Sequence, residues 1–290
     1  MRRSFKVIDF RQDTLNTINE AIEIIDEYAT AGYDLTLRQL FYQFVSRGLR
    51  ENTERSYKGL GKIVSNGRLA GLIDWKAITD RTRFLRKLAH WSSPAEIIRS
   101  CADQYRENKW NDQPCYVEVW IEKDALVGVI EPACEDLDVP CFSCRGYVSQ
   151  SAMFEGAGRQ RRGGRNVILH LGDHDPSGVD MTRDIQDRLD MFLGQRRVAV
   201  KRIALSMQQI QTINPPPNPT KATDSRSSEY VSMYGHQCWE LDALDPATMC
   251  DLIKDEVCEL RDPDLWEESL AREEEGRETL ERVAGEIECQ

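Results

Sequence analysis

No apolar run in this 290-residue chain approaches a membrane span; the longest near Glu122 extends only from Ala125 to Ile130, so no membrane partner is expected. The opening MRRSFKVIDF has two arginines but no apolar stretch behind them, so it does not read as a signal peptide. The nine cysteines are odd in number and scattered, which argues against a disulfide framework and for a reduced, cytoplasmic setting. No phosphate-cradling GxxxxGKS/T loop occurs, so an ATP-driven step would need another protein. Internal repeats are also missing. What is present, 40% hydrophobic and 30% charged residues, is the composition of a folded chain with enough sequence for one large domain or two ordinary ones.

The net charge of −11 speaks against nucleic acid until its distribution is read. Residues 36–90 hold twelve Lys/Arg and four Asp/Glu, whereas residues 238–290 hold five and eighteen. Such asymmetry suggests a basic working surface and an acidic appendage, although charges of the tail can simply solvate helix faces.

Along the chain, Leu15, Ile18, Ile22 and Ile25 recur at helical spacing over 14–29, with Asp13 as a candidate N-cap. Thr36 caps a second helix whose buried stripe is Leu37, Leu40, Phe41, Phe44 and Val45, and Gly48 ends it. A third helix from Thr53 turns Tyr57, Leu60 and Val64 inward and Arg55, Lys58, Lys62 and Arg68 outward. Leu72 to Arg83 then reads as an extended wing. Helix, turn, basic helix and wing suggest a winged helix, with Arg47, Arg55, Lys58, Lys62, Arg68, Arg81 and Arg83 as candidate DNA contacts. A plain helical bundle has the same periodicity. Residues 93–114 form a linker helix opened by Ser93 and Pro94. From Cys115, apolar runs (YVEVWIE, VPCFSC, NVILHLGD, VAVKRIAL) alternate with helical segments, the pattern of a mainly parallel α/β sheet covered on both faces. NPPPNP at 214–219 reads as a rigid loop, CWELDAL as a further strand, and 256–290 as an acidic helical tail.

Parallel α/β sheets build their sites at the carboxyl ends of strands. Glu122 ends the first strand, and Asp173 and Asp175 end the third in GDHDPSG. Three carboxylates at one edge make an oxygen-rich set suited to Mg2+, with Mn2+ as a substitute. Individually each has a blander reading: Asp175 before Pro176 is a helix N-cap, and Glu122 an ordinary strand-end acid.

A Glu at the first strand's end, followed two strands later by D-x-D and a small-residue turn, is similar to the Toprim domain. IEKDAL followed by GDHDPSG resembles the A subunit of topoisomerase VI and the meiotic double-strand-break transesterase, including compact Mini-A-like members of phages and plasmids. The resemblance spans about residues 14 to 255 and implies a winged-helix DNA-binding domain at 1–92, the linker at 93–114, and Toprim at 115–255 before the tail. In LRQLFYQFV, Arg38 matches the family's arginine, Phe41 replaces the first tyrosine of its pair, and Tyr42 falls on the nucleophilic one; RGY at 145–147 matches a glycine-aromatic turn. The resemblance implies cleavage of double-stranded DNA by Tyr42 through a 5′-phosphotyrosyl link, in a nucleoid-associated homodimer whose tyrosine meets the partner's metal, with a separate ATPase subunit for strand passage. Without the family, spacing alone makes Tyr42 a boundary tyrosine packing on the core. Phe41 keeps open a Toprim nuclease using water, like the nuclease of Wadjet plasmid-defence complexes. A non-catalytic DNA-binding subunit that recruits partners through its tail is a third reading.

Weaker candidates complete the set. Cys141-x-x-Cys144 lacks the second pair of a zinc site and reads as buried thiols. His174, between the aspartates, is either a neighbour of the metal site or, the better reading, an exposed turn residue. Glu240 and Asp242 either support a metal or face solvent. Arg159, Arg161, Arg162 and Arg165 either contact phosphate or are solvated.

Overall fold

The computed structural model describes residues 2–30, 34–79, 88–160, 164–194, 197–220, 224 and 226–288. Three helices come first: α1 (Gln12–Thr30), α2 (Leu37–Ser46) and α3 (Glu54–Leu69). Thr36 starts α2 in a reciprocal capping box with Gln39, and Gly48 takes the left-handed conformation (φ 70°) that lets the chain leave it. Ile18, Ile25, Leu40, Phe44, Leu60 and Val64 bury into a core of their own, each fully buried aliphatic contributing roughly 1.5–3 kcal/mol. Asp13 lies inside the first turn of α1 and is not its cap.

The expected wing is not a strand where it is described. Residues 72–79 run through turns with one isolated bridge, Ile78 to Leu35, and the part from 80 to 87, including Arg81 and Arg83, lies outside the described residues. Arg68 explains part of the difference: its guanidinium stacks 4.9 Å over Trp75 and donates to the Trp75 carbonyl, tying this segment to α3.

After α4 (Pro94–Gln104), the chain builds a four-stranded sheet from β1 (Cys115–Ile121), β2 (Cys141–Ser143), β3 (Arg165–Leu171) and β4 (Val198–Ala204). All pairings are parallel, in the order β2-β1-β3-β4. The helices between are α5 (Val127–Asp136), α6 (Gln150–Arg159) and α7 (Pro176–Leu193). Alternation along the strands splits the core: Val117, Val119, Ile121, Val167, Leu169 and Leu171 face α5 and the later α10 (Pro246–Leu260), while Trp120 and Ile168 face α6 and α7. Past α8 (Met207–Ile213), β5 (Asn218–Pro219) pairs antiparallel with β6 (Gln237–Cys238) around α9 (Ser227–Tyr234). CWELDAL therefore does not extend the main sheet; it leaves β6, bridges at Trp239 and turns into a short 3-10 helix at Leu241–Ala243.

The acidic end is not a free appendage. The expected boundary at 255 falls inside α10, and α11 (Pro263–Glu288) lies against α4 with Trp266, Ser269, Glu273 and Ala284 buried. Lys109 Nζ reaches Glu273 at 2.6 Å with both side chains buried, and Arg99 pairs with Glu288. The helical N-terminal unit is joined to the sheet unit by Tyr28 Oη donating to Asp245 (2.5 Å), Asn52 donating to Asn218 (2.7 Å) and Arg38 donating to Glu240 (2.5 Å).

Candidate active site at the carboxyl edge of the sheet

Parallel pairing forces the ends of β1 and β3 to one edge, with Ile121 in register with Leu171, so Glu122 and the GDHD turn meet there. Glu122 Oε2 accepts the Asp173 backbone N–H at 2.8 Å. Glycine is required beside it: a Cβ at Gly172 would sit 2.9 Å from that carboxylate oxygen, and one at Gly178 only 2.2 Å from the Asp173 carbonyl. Asp175 caps α7, its Oδ1 accepting from Gly178 N–H (2.7 Å) and Ser177 Oγ–H (3.1 Å), so its blander role is real. That role uses only one of its oxygens.

A segment distant in sequence closes the site. His174 and Trp239 exchange backbone hydrogen bonds at 2.8 and 3.0 Å, which brings Leu241 N–H to Asp173 Oδ1 at 2.7 Å and sets Glu240 and Asp242 beside Lys123. Lys123 Nζ lies 3.0 Å from Asp173, 3.0 Å from Glu240 and 2.5 Å from Asp242. Burial alone would depress this ammonium, but the three carboxylates raise its pKa instead. His174 is not an exposed turn residue: it is buried, its Nδ1 is 2.7 Å from Tyr230 Oη, and burial with nearby Arg202 holds it down at about 4.

Arg202, on β4, had no forewarning in the sequence. Its five N–H groups go to the carbonyls of Gly172 (2.8 Å), Asp173 (2.6 Å), Gly178 (2.9 Å) and Leu205 (3.3 Å) and to Thr182 Oγ1 (3.0 Å). It fixes the turn that carries the aspartates while spending no bond on a carboxylate. The adjacent His170 is fully buried, with Nδ1 2.8 Å from Thr182 Oγ1.

The edge therefore gathers five carboxylates (Glu122, Asp173, Asp175, Glu240, Asp242) and three cations (Lys123, Arg202, Arg38), a formal excess of two negative charges. The excess is felt at Glu122, where burial and then the Asp173 carboxylate push the pKa up to about 7. Burial raises Asp173 as well, against the pull of Lys123. Glu122 Oε1, Asp173 Oδ2 and Asp175 Oδ2 take no hydrogen bond among the described residues. All-oxygen donors with surplus negative charge fit a hard divalent ion in chemistry. Among the described residues, however, no three His, Cys, Asp or Glu side chains already stand as a cage around one point.

Tyr42 and Arg38, one helical turn apart, face this edge from α2. Arg38 donates to Glu240 at 2.5 Å and lies 3.8 Å from Asp242, its guanidinium 5.7 Å from the centre of the Tyr42 ring. Tyr42 is only 4% exposed, and its ring meets Phe41 edge-on at 5.9 Å, as in the packing reading. Burial first, then the adjacent Glu240 carboxylate, raises its phenol pKa well beyond the ordinary value; Arg38 and Lys123 pull the other way but lose. Glu240 itself is held at about 2: burial opposes ionisation, but Lys123, Arg38 and the Tyr42 hydroxyl outweigh it. Within one chain, then, Tyr42 already joins the acidic network through Glu240 and Lys123.

The remaining candidates separate. Arg55 and Lys62 are exposed on α3, whereas Arg47 pairs with Glu27 (2.7 Å) and Lys58 with Glu54 (2.7 Å). Arg159 is the counter-ion of Glu118, donating to it at 2.9 and 3.0 Å. Arg165 is exposed at the start of β3, while Arg161 and Arg162 lie outside the described residues. Gly146 in the RGY turn takes φ 81°, and Tyr147 Oη donates to Asp180 at 2.6 Å. No family model matches the chain, and no curated protein matches it.

Proposed function

We propose that this chain binds double-stranded DNA and cleaves its phosphodiester backbone with a divalent ion on Glu122, Asp173 and Asp175, Tyr42 serving as the nucleophile. The observation that carries this reading is the meeting of those three carboxylates at one strand-end edge, with Tyr42 and Arg38 tied into the same network. Mg2+ or Mn2+ at that edge would supply charge neutralisation and polarise a phosphate oxygen. Arg38, once released from Glu240, would hold the phosphate and stabilise developing negative charge. Arg55 and Lys62 offer exposed cations for duplex phosphates, and Arg47 and Lys58 can exchange their exposed surface acids for them. The reading makes the helical unit the winged-helix part and the sheet unit the Toprim part of a topoisomerase VI A-like protein, with a homodimer and a separate ATPase subunit as its partners.

One observation favours a second reading. Tyr42 is buried and its proton firmly held, which suits hydrolysis by water at the same acids. Supercoiled plasmid incubated with the protein and Mg2+, stopped in detergent and run with and without protease, separates the two. Protease-sensitive DNA adducts that vanish in Tyr42→Phe, with duplex binding retained, are expected. Free 5′-phosphate ends from both proteins would transfer the nucleophile's role to water, and intact plasmid under all conditions would overturn both readings.

A further inference from the structure

The thiol motif singled out in the sequence, Cys141-x-x-Cys144, does not act as a unit in the fold. Cys144 belongs to the core beneath α6 and α7, whereas Cys141 packs on the opposite face of the sheet, beside α5. Its neighbour there is Cys134. After α5 the chain reverses within a few residues, with Val139 N–H donating to the Cys134 carbonyl at 2.8 Å and Asp138 at φ 50°, so that β2 runs back along the helix end. This turn brings the two thiols to the same face of the sheet, in one core cluster. Both line one surface cleft of about 300 Å3 together with Glu131, Glu135, Asp138 and Pro140. Cys134 is buried at its floor and Cys141 is partly open.

We propose that Cys134 and Cys141 form a reversible disulfide by exchange with small disulfides, neutral or cationic ones in preference to anionic ones. The Cys141 thiolate attacks one sulfur of a disulfide RSSR, forming a mixed disulfide and releasing RS−. The Cys134 thiolate then attacks the Cys141 sulfur, forming the internal bond and releasing a second RS−. Two thiols are oxidised, one RSSR is reduced to two RSH, and the two thiol protons end on those products. Cys141 attacks first because it is the accessible member; the neighbouring Cys134 thiol holds its pKa down at about 7, against the opposition of burial and, more weakly, of Glu131 and Glu135. The acids around the cleft set the preference among disulfides, repelling anionic reagents. The inference does not depend on the DNA reading.

Fully reduced full-length protein treated with cystamine should lose two hydrogens within the peptide spanning residues 124–145, and the loss should persist in Cys144→Ser. Cys134→Ser should trap a stable cystamine adduct on Cys141. Oxidised glutathione, which is anionic, should react at least about tenfold more slowly, a gap that closes in high salt. On the unmodified sequence, the alkylation rate of Cys141 should be half-maximal near pH 7, as its depressed pKa requires. Loss of two hydrogens that survives Cys134→Ser would reassign the bond to Cys144. Modification of Cys101 and Cys258 with Cys141 left free would overturn the proposal.

Discussion

Glu273 and Glu122 are both shielded glutamates, and their surroundings are opposite. At the α4–α11 contact, Glu273 receives Lys109 Nζ (2.6 Å), the Glu107 backbone N–H (2.9 Å) and Arg277, and these outweigh burial to hold its carboxyl below the ordinary range. At the sheet edge, Glu122 receives one backbone N–H; burial and then the facing carboxylates outweigh it, so its pKa rises to about 7. A saturated acid joins two helices and asks for nothing more. An acid left in surplus, beside a turn fixed by an arginine that gives it no bond, lowers stability unless something outside the chain answers its charge. The difference teaches that burial of a carboxylate does not by itself mark function; the balance of its partners does.

The comparison breaks first on activity. Asp173→Asn should reduce plasmid cleavage by more than the roughly 100-fold that loss of a supporting partner costs a metal site. The same change should remove the stabilisation expected of Mg2+ on the unsubstituted protein, about 2.7 kcal/mol at one hundred times Kd, followed as a shift in melting temperature. Glu273→Gln should leave cleavage per folded molecule unchanged; equal losses from the two would erase the distinction. Next comes stability. Lys109→Met leaves a buried carboxylate short of its main partner and should cost about 3 kcal/mol in urea unfolding. Glu122→Gln, measured with chelator, should do the reverse and stabilise by about 1 kcal/mol or less, because the amide oxygen still accepts the Asp173 N–H while the repulsion disappears. A destabilised Glu122→Gln would mean that the edge is balanced after all.

Much of this was legible beforehand. Apolar runs separated by helical periods gave the strands, parallel order followed from their alternation, and Thr36 and Gly48 marked the ends of α2 through capping chemistry. The strand-end position of Glu122, Asp173 and Asp175 then followed from topology. What was not legible depends on chain segments meeting across long separations. Nothing local in VAVKRIAL says that Arg202 will collect four carbonyls, or that Trp239 will pair with His174 and carry Glu240 to Lys123. Glu118 left a trace that could have been followed. Tyr116, Glu118 and Trp120 alternate and therefore share a face of β1, and the two aromatic tips do donate to the carboxylate, at 2.9 and 2.8 Å. Over 72–79 the chain turns and is not extended, because Arg68 stacks on Trp75 and holds that stretch close to α3, a contact between residues seven apart that periodicity does not show.

The smallest expected effect tests the saturated side alone. Glu273 has its folded pKa below that of an unfolded glutamate, about 4.3, so its contribution is complete above that value and is lost as pH falls through the folded one. Between about pH 5 and about pH 3 the unsubstituted protein should therefore lose somewhat more stability than Glu273→Gln, which has no carboxyl to protonate there. The comparison is read as the difference between two urea midpoints at each pH, so that the other carboxylates, common to both proteins, cancel. Lys109→Met should fall between them, since Arg277 and the Glu107 N–H still favour the charged form. Curves that run parallel down to pH 3 would show that the Lys109–Glu273 pair contributes no net electrostatic stability, and that α11 is held to α4 by Trp266 and Ala284 packing instead.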